Sequence, residues 1–181
     1  MALVTNLDTA VPPKPTGRYL TSIASFLRSD NTTAYTALDV IGDGSGESGA
    51  LEFPGVTRSG AILTVSITNR LETDTITPRL WLFDTEPTNF SDNDAFALVT
   101  ADVPKLLGVW DFVDADKITV GTLINFYVQT DQSDHATGGR NIGPVPYTNA
   151  SGSLYGLLQT VSGYTPIALT QWTIKIGVDI A

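Results

Sequence analysis

The segment "RLWLFDTEPTNFSDNDAF", residues 79–96, gathers the side chains best suited to chemistry in this chain: Asp84, Glu86, Asp92 and Asp94. Carboxylates are hard oxygen donors, and calcium takes about six to eight such oxygens, so an acidic loop is a candidate cation site. The spacing lacks the D-x-D-x-D-G run and terminal Glu of a dedicated calcium loop. A second reading fits the same residues better. Ser91 stands where a helix N-cap would, and Asp94, three positions on, stands where a capping acid reaches back to the N-cap N–H. Acids in a first turn also suit the helix dipole. The pattern therefore predicts a structural loop leading into a short capped helix over "DNDAFALV", residues 92–99. A second helical turn is expected in "TADVPKL", residues 100–106.

The remaining reactive groups are sparse. His135 is the single histidine, preceded by Ser133 and Asp134 in a glycine-rich stretch, and the chain has no cysteine. A hydrolase triad needs its three groups brought together from separate elements, and no nucleophile-elbow G-x-S-x-G is present. One histidine and no thiols cannot build a nitrogen–sulfur metal site within one chain. Asp111, Asp114, Asp116 and Asp179 could supply the paired carboxylates of glycoside hydrolysis only if two of them faced each other across a groove. Nothing in their spacing requires that. "GDGSGESG", residues 42–49, lacks the Lys-Ser/Thr of a phosphate loop and reads as a flexible turn. Trp81, Trp110 and Trp172 are possible sugar platforms, but each lies in an apolar strand-like run, which assigns them to core packing. The expectation is a protein without catalytic residues, cofactor or metal.

The elements that would carry these groups have a period of two. "AILTVSITNRL" alternates Leu63, Val65, Ile67 and Leu71 with polar residues, and "QWTIKIGVDI" sets Trp172, Ile174, Ile176, Val178 and Ile180 against Gln171, Thr173, Lys175, Gly177 and Asp179. "SIASFLR", "RLWLFD", "KLLGVWDFV" and "TLINFYVQT" have apolar residues on both parities, as in strands covered on both sides. Turn-rich segments separate these runs, including residues 53–60 and 131–153. About eight short strands with intervening turns predict an all-β fold, an antiparallel β-sandwich of jelly-roll type with one or two short helical turns. The 181 residues suit one domain over residues 19–181, preceded by an extended N-terminal arm over residues 1–18 in which Pro12, Pro13 and Pro15 discourage helix. Such an arm is placed to lie along a neighbouring subunit.

Charge narrows the partners. The formal net charge is −9 with a pI near 4.3, and the ten basic residues are scattered, so nucleic acid is not expected as a direct partner. No apolar run reaches the roughly 18 residues of a membrane span. The start has no basic stretch followed by an apolar core, so it does not read as an export signal.

Read in order, "NTTAYTALDVIGDG", "ALEFPGV", "RLWLFDTEPTNFSDNDAFAL", "LLGVWDF", "LYGLLQT" and "YTP" resemble the phrases of a group of tailed-bacteriophage virion proteins. The likeness spans residues 23–170 and is most specific over residues 79–96. It implies a structural, non-enzymatic role in the particle: a capsid decoration or cement protein on the outer shell, made in the host cytoplasm. The implied partners are the major capsid protein and further copies of the chain, with a trimer favoured. A receptor- or carbohydrate-binding module at a tail or head fibre is the alternative. Under this resemblance the expected contact residues are Pro12, Pro13 and Pro15 in the arm, with Tyr19, Trp81, Phe83 and Trp110 on the strands. The prolines and the 131–153 segment have no counterpart in the group.

Overall fold

The computed structural model describes residues 18–28, 30–43, 50–70, 76–88, 90–112, 117–120, 124–129 and 144–180. Pro12, Pro13, Pro15, Asp114, Asp116 and His135 lie outside these residues, as do Leu71 and most of the 42–49 and 131–153 segments. Among the described residues the chain forms ten strands: β1 (Arg18–Leu27), β2 (Ala50–Pro54), β3 (Ser59–Arg70), β4 (Pro78–Phe83), β5 (Leu106–Asp111), β6 (Lys117–Val120), β7 (Ile124–Gln129), β8 (Val145–Thr148), β9 (Ser153–Thr160) and β10 (Gln171–Ile180).

All strand pairings are antiparallel, and they build two sheets. One runs β1-β10-β3-β7-β6, with β8 beside the start of β3; the other runs β2-β9-β4-β5. The chain passes from sheet to sheet at β1 to β2, β2 to β3, β3 to β4 and β5 to β6, and again on either side of β9. With β1-β10-β3-β7 in one sheet and β2-β9-β4-β5 in the other, the expected all-β antiparallel sandwich is what forms.

Alternation explains the layers. Trp172, Ile174, Ile176 and Val178 of β10 point inward, as do Val65 and Ile67 of β3, and they meet Phe53, Leu80, Leu82 and Leu158 from the facing sheet. Each such fully buried apolar side chain contributes about 1.5–3 kcal/mol. Tyr127 in the same core satisfies its hydroxyl by donating to the Ile76 carbonyl at 3.0 Å.

Two expectations need correction. Leu63 does not share a face with Val65. Thr64 pairs with Gly177 and Ile62 with Val178, which leaves Leu63 as the extra residue of a bulge. The bulge reverses parity, so Ile62 is buried and Leu63 is 37% exposed. It falls where β3 changes partner on its other edge, from β8 at Ile62 to β7 at Val65.

Residues 92–99 form no helix. Asn93 sits in the left-handed region at φ 66°, which ends any right-handed turn. The backbone of this stretch is engaged by residues 38–40 instead: Asn93 N–H donates to Val40 O, Val40 N–H to Asp94 O and Phe96 N–H to Leu38 O, at 2.8–3.0 Å. The expected capping contact does form, with Ser91 N–H donating to the Asp94 carboxylate at 3.1 Å, but it closes a turn. The second helical turn is present as a short 3-10 helix, Val103–Lys105.

Candidate functional site: a buried ionic knot and an uncovered edge strand

The acidic loop does not act as one unit. Asp92 turns inward at one end of the sandwich, where its Oδ1 accepts from Gly42 N–H at 2.7 Å and from the Tyr35 hydroxyl in a short hydrogen bond. Its Oδ2 lies 3.6 Å from Nη2 of Arg28, whose side chain is 1% exposed. The Arg28 guanidinium also lies over the Tyr35 ring, 4.7 Å from its centroid, and Tyr35 stacks on Tyr164 at 4.9 Å. Burial, the neighbouring Tyr164 and donation to Asp92 together push the Tyr35 hydroxyl well above the usual phenol range. It is therefore a fixed donor at neutral pH and no base or nucleophile. The knot joins the end of β1, the 31–43 segment and the 90–96 loop.

Asp94, Asp102 and Asp111 have separate partners, while Asp84 and Glu86 are engaged through their backbone atoms by Lys105. Asp94 is held by Ser91. Asp102, fully buried, accepts from Thr88 N–H at 3.0 Å and pairs with Lys105 Nζ at 2.9 Å. Asp111 faces Arg79 across the β4–β5 ladder in a two-pronged ion pair, one arm of it at 3.2 Å. Among the described residues no three Asp, Glu or His side chains come together around a common point.

Burial alone would raise the Asp102 pKa. The hydrogen bond from Lys105 and those from Thr88 outweigh it and hold the carboxyl below its ordinary 3.8. A carboxyl depressed by folding contributes stability above its unfolded pKa and loses it as pH falls through the folded value. Asp102→Asn should therefore melt below the native protein at neutral pH. The gap in Tm should close as the solution is acidified below about pH 4, which thermal scans down to about pH 2 would check.

Of the expected contact residues, Trp81, Phe83 and Trp110 are drawn into this chain. Trp110 belongs to the main core and is 5% exposed. Phe83, on the opposite face of β4, is fully buried with Val40 and Leu157 in a second apolar cluster outside the β2-β9-β4-β5 sheet. The 84–102 loop covers that cluster, with Phe90, Phe96 and Leu98 packed against it. Trp81 lies half-buried there, 4.8 Å from the Phe96 ring, and its Nε1 donates to Gln159 Oε1 at 3.0 Å. The two apolar faces of "RLWLF" are thus both covered from within the domain. Trp172 is fully buried, so none of the three tryptophans offers an open platform.

Tyr19 is accessible, 61% exposed near the start of β1, and so are Ile23 at 50% and Leu27 at 57% on the same outer face. The sequence reading gave β1 two partly covered faces; the structure covers only one. β1 pairs with β10 alone among the described residues, so its other edge is open. Tyr19 crosses Gly177 to reach Thr64, with 3.1 Å between the hydroxyl oxygens. A Cβ at Gly177 would come within 2.1 Å of that Tyr19 hydroxyl, so glycine is what lets the ring lie flat.

No protein-family model matches the chain, and no curated protein matches it. Solved structures that are similar include two from virus particles. One is a chain of the cyanophage Pam1 capsid asymmetric unit, with a TM-score of 0.37 and 12% identity, covering 99% of this chain and 98% of that one. The other is from the Mud crab tombus-like virus, with a TM-score of 0.23 and 12% identity, covering 92% of this chain and 82% of that one. Likeness at this level fixes neither ancestry nor function; the sandwich is established by this chain's own strand pairing.

Proposed function

We propose that the protein is a non-enzymatic structural component of a virus particle, a decoration or cement protein that binds the outside of the capsid shell as a trimer and bridges capsomers. The observation that carries this reading is the contrast between its two kinds of surface chemistry. Asp92, Asp94, Asp102 and Asp111, which could have done chemistry, are each held by a separate structural partner. Among the exposed large apolar residues, Tyr19, Ile23 and Leu27 share the outer face of one strand, β1, and form a contact surface there. The phrase-by-phrase resemblance of residues 23–170 to tailed-phage virion proteins supports the same class of role. A sandwich of this kind also hosts unrelated functions, so the fold adds no weight by itself.

The physical mechanism follows from repetition. A shell presents the same binding surface many times, so an interface of ordinary size, about 800 Å² per partner, suffices when several subunits of one oligomer engage together. Each bridging copy adds an interface that must break before capsomers separate. The net charge of −9 leaves the decorated surface acidic and keeps particles apart in solution.

The test is stoichiometry. Quantitative gels of purified virions should show this chain in fixed proportion to the major capsid protein, and recombinant protein should co-sediment with shells that lack it. A few copies per particle, or failure to bind shells, would overturn the decoration role.

A further inference from the structure

β1 is ten residues long, pairs with β10 in unbroken register, contains no proline and carries its only charge at Arg18. Among the described residues, this long and regular edge has, apart from Arg18, none of the devices by which sandwiches avoid adding a further strand. Beside it, between Ile23–Phe26 of β1 and Ala50–Pro54 of β2, runs a groove of about 420 Å³. The Ser22 hydroxyl ties β1 to β2 by donating to the Pro54 carbonyl at 2.6 Å.

The chain itself supplies a matching sequence. Residues 2–11, "ALVTNLDTAV", place Leu3, Leu7 and Val11 at intervals of four, with Thr5 and Thr9 between them. The outer face of β1 places Tyr19, Ile23 and Leu27 at the same interval, with Thr21 and Ser25 between. An antiparallel register setting Leu7 opposite Ile23 brings Leu3 to Leu27 and Val11 to Tyr19, apolar on apolar throughout, with Thr5 opposite Ser25 and Thr9 opposite Thr21. Directly opposed side chains in such a pair have Cβ atoms about 4.5–5.5 Å apart, and aromatic–aliphatic pairs of this kind are stabilising.

We infer that the open edge of β1 receives residues 2–11 of a second copy as an added antiparallel strand. The connection argues for a second copy over the same chain. Residues 12–17 read Pro-Pro-Lys-Pro-Thr-Gly, a sequence in which each proline and the residue before it disfavour helix and favour extended backbone. A reversal is then left to Thr16 and Gly17. A turn there would lay Pro12, Pro13 and Pro15, which have no N–H, along the β1 ladder and bring Val11 opposite Ser22, out of the apolar register. Donation in trans carries neither cost, and it closes a dimer or a cyclic trimer through identical contacts. This exchange needs no shell, so it stands or falls apart from the decoration role.

Cysteine pairs test it cleanly, because the chain has no native cysteine. Leu7→Cys and Ile23→Cys, made as separate full-length single variants and co-expressed with tags of different mass, should yield a disulfide-linked pair carrying both tags, with positions 7 and 23 joined. The pairing of Leu3→Cys with Leu27→Cys should link, and that of Leu3→Cys with Tyr19→Cys should not. Removal of residues 1–11 should shift the mass in solution from oligomer to monomer. A double Leu7→Cys, Ile23→Cys chain that links only within itself, a co-expressed mixture that stays unlinked, or an oligomer that survives the deletion would each overturn the inference.

Discussion

Replacing Asp92 by alanine should lower the stability of the domain by about 3–5 kcal/mol, the cost of leaving a buried charge without its partner. Arg28 is almost wholly enclosed, and Asp92 is its anionic neighbour within ion-pair range, at 3.6 Å. The same substitution orphans the Tyr35 hydroxyl and the Gly42 N–H, both of which donate to Asp92 Oδ1. Urea unfolding of the isolated chain would read the loss as a lower midpoint at unchanged slope. The cause can be separated from general damage to the loop. In an Asp92→Ala background, Arg28→Met removes the stranded charge while keeping an apolar stem over Tyr35, so the double variant should regain part of the loss. If Asp92→Ala costs less than about 1 kcal/mol, or if Arg28→Met makes it worse, the knot is not held by this pair.

That knot shows where sequence reading reached its limit. The acids of residues 84–94 were visible as a cluster along the chain, but the partner of Asp92 is 64 positions away at the end of β1, and Tyr35 is 57 positions away. Local spacing carries no trace of such pairings. The capping motif was legible and its contact is present; the helix it should have started is absent because tertiary partners at residues 38–40 took the backbone hydrogen bonds first. The strands were legible where one face is wet: the residues marked in "QWTIKIGVDI" coincide with β10 from end to end. β9 is buried along nearly its whole length and has no period to detect, so it appeared only as the phrase "LYGLLQT". The bulge at Leu63 was hidden because it depends on a mismatch between two strands more than a hundred residues apart. Whether a strand apolar on both faces meets its own domain or solvent depends on strand order. For that reason Ile23 and Leu27 read as partly covered when they are exposed, and Phe83 read as a contact residue when it is enclosed.

Phe83→Ala decides between those two roles for the outer face of β4. If Phe83 were a subunit contact, its truncation would leave the isolated chain as stable as before and weaken only association. The structure gives the opposite expectation. The ring is fully buried beside Val40 and Leu157, with Phe90, Phe96 and Leu98 of the 84–102 loop packed on the same cluster. Truncation would remove the ring and leave a cavity that the surrounding sheet can fill only in part, a loss of about 3–5 kcal/mol in the isolated domain. Trp81→Ala should cost less, because Trp81 is only half-buried, but it would also strip Gln159 Oε1 of the donor at 3.0 Å. Gln159 itself donates to the Leu38 carbonyl at 2.9 Å, so the effect should spread to the 38–40 segment that pairs with the loop. Hydrogen exchange would show this as faster opening of residues 38–40 and 93–96 in Trp81→Ala, with the β1–β10 ladder unchanged. A Phe83→Ala chain that unfolds at the native midpoint but fails to assemble would return the outer face of β4 to the list of contact surfaces. Loss of the midpoint would assign Phe83 to the packing of its own domain and not to a subunit contact.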